Sequence, residues 1–302
     1  VGTATPVVSY QSDEVTGDPR AVTLGIAPVK QVVFLQFATS YVEALRLFGL
    51  RAVDALIRQR IVDVVTAAYP AINFEVRTEE PTDFALFSRV ELLGKDPNGM
   101  GLFGYDNSPG KDNNNERLYD SLGGVNAQTQ QDNYPGYGGV FVESLMGFSL
   151  HPLGDIDSIP GADPTFDEVM DPFRVDRGGV AISGADLSGG VAVPADGGGC
   201  PAADRGGRIG CAVFVMGSLI GGTLAHEIGH SLGLANPNAD GFHNGGDKPN
   251  RLMDAGGDRP FLERAQLLGF GPGVFCDEEY AYLRSILPSP LPPDPSPRPD
   301  CF

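Results

Sequence analysis

The pattern of apolar and polar residues in the first third of the chain predicts a strand, a helical region and two further strands. Residues Gln31–Phe37 form a short run rich in β-branched and aromatic side chains, as in a buried strand. Between residues 41 and 68, apolar side chains recur at helical spacing, so this segment is one long helix or two helices joined near Gly49. Residues 72–78 alternate as a strand should, and residues 84–93 predict a second such strand.

The second half of the chain predicts further buried elements. Residues 140–150 predict a strand, and residues 209–216 predict a buried strand that leads directly into a helix over residues 218–233. Two more helical segments are predicted near the end of the chain, at residues 260–268 and Asp277–Ile286. Strands and helices are therefore mixed along the sequence, which indicates an α+β fold.

Long stretches between these elements carry no sustained period. Residues 1–28 predict an extended arm, residues 178–210 predict loops or weak strands, and residues 288–302 form a proline-rich tail. The Asn- and Asp-rich residues 105–115 offer many oxygen ligands for a structural Ca²⁺, but they do not match the EF-hand pattern. We favour a solvated loop full of turns there, and a solvated charged face for the acidic residues 155–176.

Two histidines four residues apart lie in the predicted helix over residues 218–233. His226 and His230 fall one turn apart on the same helix face, a spacing that presents two imidazoles to one Zn²⁺ ion. Glu227 lies slightly to the side, where it can reach a water on the metal without being a ligand. Gly233 suits a left-handed helix stop, after which the chain turns. The alternative is a core helix with two hydrogen-bonded histidines.

With its downstream methionine, this stretch resembles the metzincin clan of zinc metalloproteases. The shared pattern is His226-Glu-x-x-His230-x-x-Gly233, followed by Met253 in the place of the metzincin Met-turn. The resemblance implies a zinc-dependent endopeptidase that acts on polypeptides. It also implies that Met253 is a hydrophobic floor beneath the metal rather than a ligand.

The same resemblance implies an architecture for the α+β fold. A twisted mixed sheet packs on two long helices, and the zinc helix forms the floor of the cleft. An edge strand of this sheet lines the cleft and pairs with the substrate backbone. The implied division is an upper catalytic subdomain over residues 29–235, and a lower irregular subdomain over residues 236–287 that carries the Met-turn and the C-terminal helices.

The third zinc ligand is where the sequence departs from the metzincin pattern. Metzincins usually carry a third histidine three residues after the glycine, and Asn236 stands at that position. An amide oxygen is a weak zinc ligand compared with imidazole or carboxylate. His243 is the only other downstream histidine, and a lengthened connection would bring it to the metal. We favour His243 as the third ligand; Asn236, Asp240 and Asp247 are the alternatives.

The predicted site implies a mechanism of peptide hydrolysis. Zn²⁺ on three protein ligands keeps a position for water, lowers the pKa of that water and polarises the scissile carbonyl. Glu227 takes the proton as the water attacks and passes it to the leaving amine. Many metzincins place a tyrosine shortly after the methionine to stabilise the oxyanion, but Asp254, Ala255 and Gly256 follow Met253. The pattern therefore identifies no oxyanion-stabilising group.

Composition narrows the range of partners. The chain has 302 residues and a formal net charge of −18, which argues against nucleic acid or an anionic membrane surface. No uninterrupted run of about twenty apolar residues is present, so the sequence predicts no membrane insertion. A polypeptide substrate is the predicted partner, and we expect a monomer.

Four cysteines indicate the compartment. Cys200, Cys211, Cys276 and Cys301 are even in number and lack the Cys-x-x-Cys spacing of metal sites. The simplest of the three pairings joins the first two and the last two, each closing a short loop in an oxidising compartment. Four buried thiols in a cytosolic protein are the alternative. Because the chain begins with Val1, we expect a removed leader and a secreted or periplasmic protein.

Two other functions fit the same pattern. The first is a catalytically inactive, zinc-bearing module used for binding or adhesion, which the displaced third ligand suggests. Glu227 speaks against it, because a structural zinc has no use for a base. The second is a zinc amidohydrolase that acts on non-protein substrates, since the same motif serves amide hydrolysis on small molecules.

Overall fold

The sheet and the helices together confirm the predicted α+β class. The computed structural model describes residues 2–10, 13–22, 29–108, 120–125, 136–234, 243–246, 248–256 and 259–301. At the N-terminus, the predicted extended arm forms two small antiparallel strand pairs, β1 with β4 and β2 with β3. Their bounds are β1 Gly2–Ala4, β2 Val7–Tyr10, β3 Asp13–Thr16 and β4 Arg20–Val22.

The main sheet has seven strands within the described ranges. It contains β5 Gln31–Phe37, β6 Phe74–Arg77, β7 Ser88–Leu93, β8 Gly104–Tyr105, β9 Ser121–Leu122, β10 Gly124–Val125 and β11 Tyr137–Phe141. β5 lies between β6 and β7 and runs parallel to both, and β11 runs parallel to β7. β8 pairs antiparallel with β11 on the side away from β7, because Val140 is opposite both Leu92 and Gly104. Among the described residues, β8 pairs with no strand other than β11, which places it as an antiparallel strand at an edge of the sheet as described.

Two long helices pack against each other beside this sheet. The α-helices of the described residues are α1 Thr39–Leu47, α2 Asp54–Ala68, α3 Pro164–Met170, α4 Arg205–Ser231, α5 Phe261–Arg264 and α6 Asp277–Ile286. The two long helices that pack together are α2 and α4. Gly217 and Gly221 let α2 approach α4 closely. A Cβ atom at Gly217 would lie 2.4 Å from Arg60 Cγ, and one at Gly221 would lie 2.7 Å from Val64 Cβ. The histidine helix is thus held against α2 by glycines one turn apart.

Helix α4 corrects the prediction for residues 209–216. These residues are not a strand but the first half of one helix that continues through the predicted 218–233 segment and begins at Arg205. Its N-cap is Asp204, whose side chain accepts a hydrogen bond from the Gly207 N–H. Because residues 209–221 are buried on every face, their apolar run carries no helical period. By length and composition, α4 could cross a membrane. However, 89% of its most apolar 18-residue segment is buried inside the fold, which is typical of a core helix.

Other predicted elements differ from the structure mainly in length. The break near Gly49 is confirmed: α1 and α2 are separate, and Gly49 has a φ of +72° with its Cα facing the Phe173 carbonyl. The predicted strand over 140–150 ends at Phe141, after which Val142–Phe148 is a buried 3-10 helix. The predicted helix over 260–268 shortens to α5, because Gln266 and Leu268 both have a positive φ.

Both predicted disulfides are present. Cys200 pairs with Cys211, and Cys276 pairs with Cys301. The second bridge holds the proline-rich tail to the start of α6, where the Asp277 N–H also donates to the Pro299 carbonyl at 3.1 Å. Two disulfides are compatible with an extracellular protein.

We expect removal of the Cys276–Cys301 bridge to destabilise the protein substantially. The double change Cys276→Ser and Cys301→Ser should lower the free energy of unfolding by about 2–4 kcal/mol, because the unfolded chain gains the freedom of an opened loop. Urea unfolding of this variant and of the wild type would measure the difference. An unchanged midpoint would show that the tail contributes nothing to the stability of the fold.

Candidate metal centre and cleft

Three of the four histidines of the chain converge on one point. His226 and His230 project from α4, and His243 comes from the segment beyond it. One nitrogen from each ring lies within 4.8 Å of the others, and the Nε2 atoms of His226 and His230 are 3.1 Å apart. The fourth histidine, His151, is exposed and lies away from the cleft. The sequence predicted this set of three, and their role as ligands stays a prediction.

The end of α4 fixes the orientation of the His230 ring. Gly233 has a φ of +89°, its N–H donates to the His230 carbonyl at 2.8 Å, and the Leu234 N–H donates to the Gly229 carbonyl at 3.0 Å. These two bonds form a Schellman turn, which ends the helix where the left-handed stop was predicted. The turn also places the Leu234 carbonyl 2.8 Å from His230 Nδ1. The helix stop therefore supplies the hydrogen-bond acceptor that orients this imidazole.

The hydrogen bonds of the His226 and His230 rings favour tautomers that can bind a metal ion. His226 Nδ1 lies 2.7 Å from the Leu252 carbonyl, and His230 Nδ1 has the Leu234 carbonyl described above. A carbonyl only accepts, so both Nδ1 atoms carry a proton, and in the neutral form of each ring Nε2 presents a lone pair. Two lone pairs at this separation repel unless a cation lies between them. In a tetrahedral site, nitrogens about 2.0–2.1 Å from zinc are roughly 3.3 Å apart, so the donor set fits Zn²⁺.

The ring of His243, from the segment after α4, completes the cluster. The His243 ring stacks on His226, with 5.2 Å between ring centroids, and meets the His230 ring edge-on at 5.3 Å. The alternative ligands Asn236, Asp240 and Asp247 lie outside the described residues. Within the described part of the chain, His243 is the residue that brings a third donor atom to this cluster.

A buried polar network holds the segment after His243. The Asn244 N–H donates to the Met253 carbonyl at 3.1 Å, and its side-chain amide donates to Glu279 Oε1 at 2.8 Å. Arg251, which is fully buried, donates to the carbonyls of Gly245 and Gly246 at 2.7 and 2.9 Å. Asp254 in turn accepts from Arg251 and from Arg259. Sequence reasoning missed this network, because it joins residues that no helical or strand period relates.

Glu279 is the residue of this network whose charge changes with pH near neutrality. Burial raises the pKa of Glu279 to about 7, although the Cys276 N–H and the Asn244 amide donate to its carboxylate and oppose the rise. The negative charge of Asp254 contributes to this rise, and the positive charge of Arg251 opposes it. The carboxyl group is therefore neutral in the folded protein over a pH range in which it is ionised in the unfolded chain.

The stability of the wild type should fall relative to that of Glu279→Gln as the pH rises from 5 to 8. Between the ordinary carboxyl pKa of 4.5 and the folded value of about 7, the folded protein binds more protons than the unfolded chain, so increasing pH favours unfolding. The glutamine side chain does not titrate. The free energy of unfolding of the wild type minus that of the variant should therefore fall by about 1–3 kcal/mol between the two pH values. Urea unfolding of both proteins at the two pH values measures it. A constant difference would contradict the raised pKa.

Met253 packs directly beneath the histidine helix. Its side chain is 1% exposed, and a Cβ atom at Gly229 would lie 2.7 Å from Met253 Sδ and 3.2 Å from the Phe275 ring. Gly229 immediately precedes His230, so the absence of a side chain lets the sulfur reach the helix backbone at the level of the histidines. Met253 therefore packs on the helix at the level of the histidines, and its role as a hydrophobic floor beneath a metal stays a prediction.

Gly229→Ala should destabilise the protein by about 1–3 kcal/mol, because the added methyl group must displace Met253 or Phe275. Gly222→Ala on the same helix is the matched control, since no heavy atom lies within 4 Å of the added Cβ. The control should stabilise by about 0.4–1 kcal/mol through the smaller entropy of the unfolded chain. Thermal unfolding of the two variants compares them, and equal effects would refute the close contact.

The carboxylate of Glu227 lies against the edge strand β8. Glu227 is 6% exposed, and a Cβ atom at Gly104 would lie 2.6 Å from Glu227 Oε1. Next along the strand, Tyr105 has a raised pKa, first because it is partly buried and then because Asp106 and Glu227 lie near it. The structure thus identifies β8 as the strand that borders the site, which the sequence pattern left open.

A cleft of about 500 Å³ opens over this constellation. One wall is α4, another is the stretch Gly101–Tyr105 that includes β8, and the third comes from the residues around Met253 and from α5. Glu227 and all three clustered histidines line it. Tyr105 and Arg264 also line it, and sequence reasoning missed both. A single partly buried tyrosine or arginine carries no spacing that marks it as part of a site.

The two acidic segments differ in what the structure shows. Most of residues 105–115 lies outside the described part of the chain, so the calcium site and the solvated loop both stay predictions there. In the second segment, Asp167, Asp171 and Asp176 surround Arg174, a fully buried side chain that they neutralise. These three carboxylates therefore serve an internal ion-pair cluster rather than only a solvated face.

Comparisons of the chain with protein-family models, curated proteins and solved structures give no match. What the site can do chemically follows from its donor atoms. Three imidazoles in their neutral form could hold a borderline-soft divalent metal ion, and a buried carboxylate beside them could move a proton.

Proposed function

We propose that this chain is a zinc-dependent endopeptidase of the metzincin type, with His226, His230 and His243 as zinc ligands and Glu227 as general base. The observation that carries the proposal is the meeting of three imidazoles and one buried carboxylate at the wall of an open cleft. A purely structural zinc site is closed by four protein ligands, whereas three ligands at a cleft leave a position for chemistry.

Each residue of the proposed site has a separate role in peptide hydrolysis. Bound Zn²⁺ supplies Lewis acidity, which lowers the pKa of a water and polarises a carbonyl. His226 and His230 hold their Nε2 lone pairs toward the metal position, because their Nδ1–H groups are fixed by the Leu252 and Leu234 carbonyls. Glu227 accepts the proton of the attacking water and delivers it to the leaving amine. Its burial against Gly104 holds the carboxylate at that place before substrate arrives.

The edge strand supports a polypeptide as the substrate. β8 pairs with β11 on one side, and its residues Gly104 and Tyr105 line the cleft beside Glu227. The backbone of an extended peptide can add to such an edge, so that main-chain hydrogen bonds place a peptide bond next to the base. An antiparallel edge strand above the zinc helix also resembles the metzincin arrangement. The implied division into upper and lower subdomains stays a prediction.

Elemental analysis and a protein digest test the proposal together. Purified protein should contain about one zinc ion per chain and hydrolyse casein; a chelator should abolish the hydrolysis and added Zn²⁺ should restore it. Bound zinc with no hydrolysis of casein or of small amides would favour the inactive binding module. Hydrolysis of small amides alone would favour the amidohydrolase. Absence of zinc binding after incubation with Zn²⁺ would overturn the assignment.

A further inference from the structure

Arg264, the last residue of α5, places a positive charge in the cleft close to the proposed base. Its Nη2 donates to Thr223 Oγ1 at 2.7 Å, and its Nη1 donates to the Gly256 carbonyl at 2.9 Å. Thr223 lies one helical turn before Glu227 on α4, a rise of about 6 Å along the axis, so the guanidinium is anchored at the helix turn that precedes the proposed base. Thr223, Gly256 and Arg264 all line the cleft.

The surroundings of this guanidinium are largely apolar. Its carbon lies 5.0 Å from the centre of the Phe103 ring and 6.0 Å from that of the Phe148 ring. The pKa of Arg264 is lowered to about 10, first by burial and then by the charge of Arg259, against the opposing charges of Glu227 and Glu263. The group remains positively charged at neutral pH despite its partial desolvation.

Arg264 differs from the other arginines of the cleft in having no counterion among the residues that the structure describes. Arg251 pairs with Asp254, and Arg259 pairs with Asp254 and Glu263. Among the described residues, no carboxylate lies within ion-pair distance of Arg264, and two of its five N–H donors are used, by Thr223 and Gly256. A cation held partly out of water without an anion is unfavourable, unless an anion binds there during function.

We propose that Arg264 is a specificity-determining residue that binds a carboxylate of the substrate, within about two residues of the scissile bond. This inference rests on the proposed peptidase function. The span of about 6 Å from Thr223 to Glu227 matches one to two residues of extended peptide, at about 3.3 Å each. The planar fork of a guanidinium suits bidentate carboxylate binding, and the flanking aromatic rings hold that plane in place.

Two sources could supply this carboxylate, and matched peptides separate them. One is a glutamate or aspartate side chain beside the scissile bond, and the other is a free C-terminal carboxylate. We would compare quenched fluorogenic peptides that differ only by Glu against Gln at each of the two positions on either side of the cleaved bond. A second pair would differ only by a free or an amidated C-terminus placed one or two residues beyond that bond.

The wild type should prefer the carboxylate-bearing peptide in one of these arms by about 10- to 100-fold in kcat/KM. Arg264→Gln should reduce that preference, taken as the ratio of kcat/KM for the two peptides of a pair on the same variant, to less than about 3-fold. Arg264→Lys should retain part of the preference, because it keeps the charge but loses the planar fork. Arg208→Gln, which removes an exposed arginine outside the cleft lining, is the control for net charge. Circular dichroism verifies that each variant is folded.

A binding measurement separates failure of this inference from failure of the proposed function. Fluorescence anisotropy measures peptide binding without turnover. It would use the same Glu and Gln peptides and the same free and amidated pair. The two proteins to compare are Glu227→Gln and the double variant Glu227→Gln with Arg264→Gln. Tighter binding of the carboxylate peptide that Arg264→Gln removes would support the inference even if the wild type cleaved nothing. A preference that survives Arg264→Gln, or no preference in any arm, would overturn it.

Discussion

Glu227→Gln should lower the rate of peptide hydrolysis by about 10²- to 10⁴-fold while the protein keeps its full complement of zinc. The glutamine side chain has nearly the same shape but accepts no proton from an attacking water. Glu227 is not one of the clustered nitrogen donors, and it lies to the side against Gly104. Its replacement should therefore leave the metal in place. Casein hydrolysis and elemental analysis on the same sample measure both quantities.

The control for this experiment is Glu168→Gln, which neutralises an exposed carboxylate on α3, outside the cleft lining. It should hydrolyse casein at the wild-type rate. If Glu227→Gln retained near-wild-type proteolysis, Glu227 would not be the base. If it lost zinc together with activity, the carboxylate would be acting on the metal rather than on the proton.

His243→Ala should weaken zinc binding by more than about 100-fold and remove activity with it. Removal of one of three ligands leaves two imidazoles from a single helix, which cannot close the coordination of the metal. Second-shell changes at zinc sites already reduce affinity by about 10- to 100-fold, so loss of a direct ligand should exceed that range. Competition with a chromogenic chelator would give the affinity of wild type and variant.

His151→Ala is the matched control, because it removes the one histidine that lies outside the cluster. Asn236→Ala tests the alternative ligand at the usual metzincin position. Both variants should bind zinc as the wild type does. Wild-type affinity in His243→Ala combined with zinc loss in Asn236→Ala would move the third ligand to Asn236 and would break the assignment made from the ring contacts.

Sequence alone anticipated those features that are encoded by local spacing. The two histidines of α4 and the intervening carboxylate follow from positions on a single helix, and the stop at Gly233 follows from the freedom of glycine at positive φ. β5 and α6 have the bounds that their patterns predict. Each of these features depends on residues within a few turns of each other.

What the sequence did not reveal depends on contacts between distant segments. The first half of α4 looked like a strand, because a helix buried on all sides has no polar face to show its period. The contact between Gly104 and Glu227 joins residues more than a hundred positions apart, as does the packing of Arg264 on Phe103 and Phe148. No periodicity links such residues. Only the fold therefore revealed the strand that borders the cleft and the position of Arg264 in the cleft lining.

The link between Asn244 and Glu279 sets an order for the assembly of the site. Glu279 belongs to α6, and the Cys276 residue that caps this helix is joined to Cys301. Synthesis proceeds from the N-terminus, so the residues of α4 leave the ribosome well before either of these partners. A nascent chain can therefore present two histidines while the support of the third has not been made. If His243 is a zinc ligand, its support through Asn244 and Glu279 is complete only after Cys301 has been synthesised and joined to Cys276.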